Sequence, residues 1–135
     1  MRSRPWWVGM NERKRLARTR LIERVRTIEK SRAARASADA EAVSSRLLGV
    51  AQKTRLLAAH YAAGHDLHTA DDLRRRQAMR HQLHALSTLN DGHLCDAQRR
   101  ADTAMAELGS AERKRARMES DRRALERATQ DRTPQ

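Results

Sequence analysis

The chain has 135 residues, 34% of them charged and only 2% aromatic, with no phenylalanine, so it cannot fill the thick core of an ordinary globular domain. Its formal net charge of +12 and isoelectric point near 11.4 ask for an acidic partner, and acidic protein, nucleic acid and anionic membrane all qualify. No apolar run approaches the roughly 20 residues of a membrane span, no signal-peptide core opens the chain, and the single cysteine, Cys95, allows no internal disulfide; the expectation is a cytoplasmic protein without membrane insertion.

Residues 1–10 hold both tryptophans, Trp6 and Trp7, and differ in character from all that follows. They read as a flexible leader or as a mispredicted start, with a Trp6-Trp7 anchor as the sharper alternative. From Asn11 the basic residues come densely: Arg13, Lys14, Arg15, Arg18, Arg20, Arg24, Arg26, Lys30, Arg32 and Arg35 against Glu12, Glu23 and Glu29. Within this block Leu21, Val25 and Ile28 form a short apolar stripe, which joins the next stretch only through a slip at Arg32.

Between residues 36 and 61, small or apolar residues recur at Ala36, Ala40, Val43, Leu47, Val50, Thr54, Leu57 and Tyr61, alternating steps of four and three. On a helix these fall on one narrow stripe, too narrow for a globular core and suited to a partner helix. The partner lies downstream, where Met79, Leu83, Leu86, Asn90, Leu94, Ala97, Ala101, Ala104, Leu108, Ala111, Arg115, Met118, Arg122 and Leu125 repeat the alternation. Between the seams Gly64 is suited to ending a helix in a left-handed turn, and Thr69 or Asp71 to capping the next. Asn90, Asp91 and Gly92 are the place where the second helix would break if it broke; it reads as continuous, with Gly49, Gly92 and Gly109 marking bends or fraying.

No proline lies between Pro5 and Pro134. The expectation is therefore an all-α fold: two long helices in an antiparallel coiled-coil hairpin over residues 11–130, with a helix at 15–62, a loop at 63–69, a helix at 70–128 and a disordered tail at 131–135. A long homodimer with a helical loop is the competing architecture. Folding about the loop places opposite one another residues whose numbers add to about 132, so that Arg18 lies near Lys114 and the two basic blocks converge.

The six histidines, His60, His65, His68, His81, His84 and His93, cluster around the loop, but no second organised ligand pair accompanies them, so no metal or cofactor is expected and they read as solvated residues. Two helices offer no desolvated pocket to tune an acid, base or nucleophile, and the five glycines are scattered singly, so the chain reads as a non-enzyme. Nucleic acid is the serious alternative partner for the arginines, although no aromatic interleaves them for base stacking. Near the loop, adjacent Leu56 and Leu57 and the pair Leu86 and Leu89 exceed what a narrow seam buries, so some face outward as a contact surface or else tighten the hairpin beneath its loop.

The basic start Met10-Asn-Glu-Arg-Lys-Arg-Leu, the stretch Tyr61-Ala-Ala-Gly-His-Asp-Leu and Ala111-Glu-Arg-Lys-Arg-Ala-Arg-Met, set in two long helices with charge-rich ends, resemble the FliJ-like proteins of flagellar export and their YscO-like relatives in virulence secretion. The resemblance implies a stalk of a type III export apparatus, cytoplasmic and peripheral to the inner-membrane machinery, whose partners are a hexameric export ATPase, an export gate protein and export chaperones. It implies that Arg13, Lys14, Arg18, Arg20, Arg24, Arg113, Lys114, Arg117, Arg122 and Arg123 meet the ATPase ring. It likewise implies that Leu56, Leu57, Tyr61, Leu83, Leu86 and Leu89 lie at the gate contact. The sequence departs from the family's pattern in its scarcity of aromatics near the loop and in its tryptophan-containing leader.

Overall fold

A computed structural model describes residues 6–63 and 69–131. It contains two helices, α1 (Trp6–Ala62) and α2 (Ala70–Asp131), packed against each other as an all-α hairpin. Helix α1 begins at Trp6 rather than near residue 15, and Asp131 closes α2 rather than opening a tail. With no proline between Pro5 and Pro134, residues 6–14 can join the helix, and Gly9 stands in open space where a lone glycine costs about 1 kcal/mol. The expected Gly64 turn lies outside the described residues. Thr69 is the N-cap of α2: its Oγ1 accepts from the Asp72 backbone N–H at 3.2 Å, and Asp71 and Asp72 sit in the positive first turn. Arg76 closes the other end by donating from Nε to the Tyr61 carbonyl at 3.0 Å, with its guanidinium 5.9 Å from the centre of the Tyr61 ring.

The chain forms two compact units, one of Met1–Ala36 with Met105–Gln135 and one of Ser37–Ala104. In the second, loop-side unit the covered positions of α1 are Ser37, Ala40, Ser44, Leu47, Ala51, Thr54, Ala58 and Tyr61. The line Ala40, Leu47, Thr54, Tyr61 is the expected one, but its companion is not: Ser37, Ser44, Ala51 and Ala58 replace Ala36, Val43, Val50 and Leu57, which are exposed. Small side chains let the backbones approach, and Ala51 is sealed to 1% exposure where a valine would hold the helices apart. From α2 come Leu83, Ser87, Asn90, Leu94, Ala97, Ala101 and Ala104, as expected apart from Ser87 in place of Leu86 and from Met79, which is exposed. Helix α2 runs unbroken through Gly92.

At the centre of this unit Asn90 is buried, and its Nδ2 donates to Thr54 Oγ1 at 3.0 Å. The Thr54 hydroxyl gives its own proton to the Val50 carbonyl at 2.9 Å, so both groups are satisfied. Such a polar pair costs stability but holds one register. Cross-helix partners have numbers adding to 144 for Thr54 with Asn90, 146 for Arg55 with Asp91 and for Arg20 with Glu126, and 145 for Glu23 with Arg122. The register expected from a tight loop is therefore corrected. Lys114 lies level with positions 30–32 and Arg18 with positions 126–128. The first three turns of α2, exposed except at Asp72 and Arg76, have no described residue of α1 level with them.

In the other unit the covered positions of α1 include Leu16, Thr19, Glu23, Arg26, Lys30 and Ala33, which continue the same spacing without a slip at Arg32; Ile22 and Glu29 beside them are half-covered too. That frame turns Leu21, Val25 and Ile28 outward. Long charged side chains cover the seam with their stems while their heads pair or reach water. Helix α2 contributes Leu108, Ala111, Arg115, Met118, Arg122 and Leu125.

Candidate functional site: a basic unit and loop-side leucines

Counting the residues of each unit, the first holds 20 basic and nine acidic side chains and the second nine and eight, so +11 of the net +12 belongs to the first. Four of its acids, Glu23, Glu29, Glu119 and Glu126, hold arginines. Arg122 donates through Nε to Glu23 and through Nη1 to Glu126 at 2.9 Å, and Arg20 Nη2 reaches Glu126 at 3.2 Å. Glu119 receives Arg123 at 2.7 Å and Arg115 at 3.5 Å, and Glu29 receives Arg26 at 2.9 Å.

Of the ten basic residues singled out in the sequence, Arg20, Arg122 and Arg123 are thus held by carboxylates of their own chain, and Arg122 is half-buried at the helix contact. Arg13, Lys14, Arg18, Arg24, Arg113, Lys114 and Arg117 are exposed and make no ion pair among the described residues. Glu126 lies four residues beyond Arg122 on the same helix, whereas only the observed register brings Glu23 to Arg122.

This cluster is sensitive to acid. Hydrogen bonds from Arg122 and then Arg20 hold the Glu126 carboxyl below the ordinary carboxylate range, while bonds to Glu23 and then Glu126 raise Arg122. For a carboxylate depressed in the folded state, the stabilisation is present above its unfolded pKa, near about 4.3, and is lost as pH falls through the lower folded value. Arg122 stays charged throughout that window. Acid titration followed by circular dichroism is expected to show a helix loss below about pH 4 that Glu126→Gln removes in part. Superimposable acid limbs for the two proteins would show that the cluster contributes nothing.

The loop-side residues divide differently. Leu83 is buried in the seam and Tyr61 is half-covered, its ring edge-on to His60 at 5.5 Å between centroids. Leu56, Leu57, Leu86 and Leu89 are exposed, Leu56 to 71%. Heptad position places Leu57 and Leu86 beside the seam on one flank, with Leu56 and Leu89 further round on their own helices. The exposed Val43 and Val50 extend the Leu57 line along α1 and were taken in the sequence for seam residues.

His65 and His68 lie outside the described residues. Among the described residues no three potential metal ligands gather, and Cys95 is exposed. No described helix is long and apolar enough to cross a membrane. Comparison with protein-family models, with curated proteins and with solved structures yields no match.

Proposed function

We propose that the chain is a non-enzymatic coiled-coil stalk of a type III, flagellar-type export apparatus, working in the cytoplasm at the inner-membrane machinery. In this reading its basic unit engages the hexameric export ATPase, its exposed loop-side leucines meet the export gate, and export chaperones are further partners. The observation that carries the reading is the segregation of charge within a helical hairpin: +11 on one unit, with Arg13, Lys14, Arg18, Arg24, Arg113, Lys114 and Arg117 exposed and, among the described residues, not spent on internal ion pairs. Such a surface suits a ring of acidic side chains on a protein partner. The sequence resemblance supplies the identity of that partner. Of the leucines, Leu56, Leu57, Leu86 and Leu89 remain available for the gate, whereas Leu83 serves the seam.

The test is one comparison at about 150 mM salt, a concentration that screens weak surface attraction. The wild-type chain is expected to stimulate hydrolysis by the export ATPase, and the combined Arg18→Ala, Arg113→Ala and Arg117→Ala variant to lose most of that stimulation while keeping its helix content. Absence of stimulation, together with nucleic-acid binding whose salt slope flattens by about one unit per lost phosphate contact in the variant, would transfer the arginines to nucleic acid.

A further inference from the structure

A groove of about 570 Å³ runs along one flank of the loop-side unit, lined by Arg55, Ala58 and Ala62 of α1 and by Gln77, Arg80, His81, His84 and Ser87 of α2. Its polar lining consists of groups able to donate hydrogen bonds, and none of these residues is acidic. Arg55 is itself paired with Asp91 at 2.7 Å. Arg80 occupies a seam position in the part of α2 that extends past the described end of α1, is exposed, and makes no ion pair among the described residues. The net +11 of the other unit does not account for this groove, because every residue lining it belongs to Ser37–Ala104.

We infer that this groove is a second binding site for an acidic peptide segment. From Gln77 to Ser87 the α2 wall extends about 15 Å at 1.5 Å per residue, longer than one phosphate or carboxylate group and matched to several carboxylates along a peptide. Ala58 and Ala62 leave a small apolar floor for the methylene groups of glutamate side chains. No aromatic lines the groove to stack a nucleobase, which favours peptide over single-stranded nucleic acid. Arg55 from α1 and Arg80 from α2 line the groove beside His81 and His84, and each imidazole can donate a hydrogen bond to a carboxylate of the peptide.

The test uses the full chain labelled in its histidine rings, titrated with an oligoglutamate of about ten residues at about 150 mM salt and followed by imidazole resonances. His81 and His84 are expected to shift together and saturably, while His60 and His93, outside the groove, stay in place. Arg80→Gln should weaken the response about fivefold, the worth of one exposed ion pair. Lys14→Gln with Arg18→Gln, in the other unit, should leave the response unchanged. Peptide binding that leaves His81 and His84 unmoved, an unaltered response in Arg80→Gln, or equal binding by an oligothymidylate of about ten nucleotides would each overturn the inference.

Discussion

Ala51→Asp unfolds the loop-side unit, whereas Val50→Asp, one residue earlier on the same helix, leaves it folded. Ala51 is 1% exposed and Val50 is 47% exposed. An aspartate at position 51 would carry its carboxylate into the closest approach of the two helices, where no described donor stands ready to pair with it. An uncompensated buried charge costs about 3–5 kcal/mol, comparable to the whole stability of a small helical unit. At position 50 the carboxylate reaches water, and the change costs little more than a difference in helix propensity, about 0.5 kcal/mol. Thermal melts followed at the helix band would show the midpoint collapsing in the first variant and moving by a few degrees in the second. Equal losses, or a larger loss at Val50, would mean that α1 packs through Val43, Val50 and Leu57 instead.

That contrast marks where the sequence was legible and where it was not. Two helices and a connection near residues 63–69 follow from the proline-free run and from three-and-four spacing, and the α2 seam is correct at every position from Leu94 to Leu125, where leucines, alanines and Met118 hold that spacing and Arg115 and Arg122 continue it. On α1 two adjacent lines compete, one of Ala36, Val43, Val50 and Leu57 and one of Ser37, Ser44, Ala51 and Ala58. Ranking by hydrophobicity selects the first. Close packing selects the second, because methyl and hydroxymethyl groups allow interaxial distances that valine and leucine forbid. A signal was present: Ala51, Ala58 and the two serines recur every seven residues, and Asn90 on the facing helix asks for a polar partner such as Thr54.

The site was legible in composition rather than in pairing. Clustered arginines near both ends of the chain identify the basic unit directly, but whether a given arginine is free depends on which acid lies level with it. Arg122 appeared in the sequence both as a seam position and as a partner contact; the observed register makes it a clamp between Glu23 and Glu126. The groove of Arg80, His81 and His84 was hidden for the same reason. Only a register adding to 144–146 brings the flank of α2 beside Arg55, Ala58 and Ala62.

Everything proposed for the basic unit and for the groove rests on a hairpin in that register, pinned by Asn90 and Thr54. Spin labels at positions 52 and 93, both exposed, with Cys95 replaced by serine, test it most directly. Their numbers place them level across the hairpin, and helix axes about 8–10 Å apart put the labels within about 25 Å of each other. The predicted result is that short separation, unchanged when labelled protein is diluted with an excess of unlabelled chain. A separation near 60 Å, the rise of one continuous helix between the two positions, or a short separation that vanishes on dilution, would contradict the hairpin.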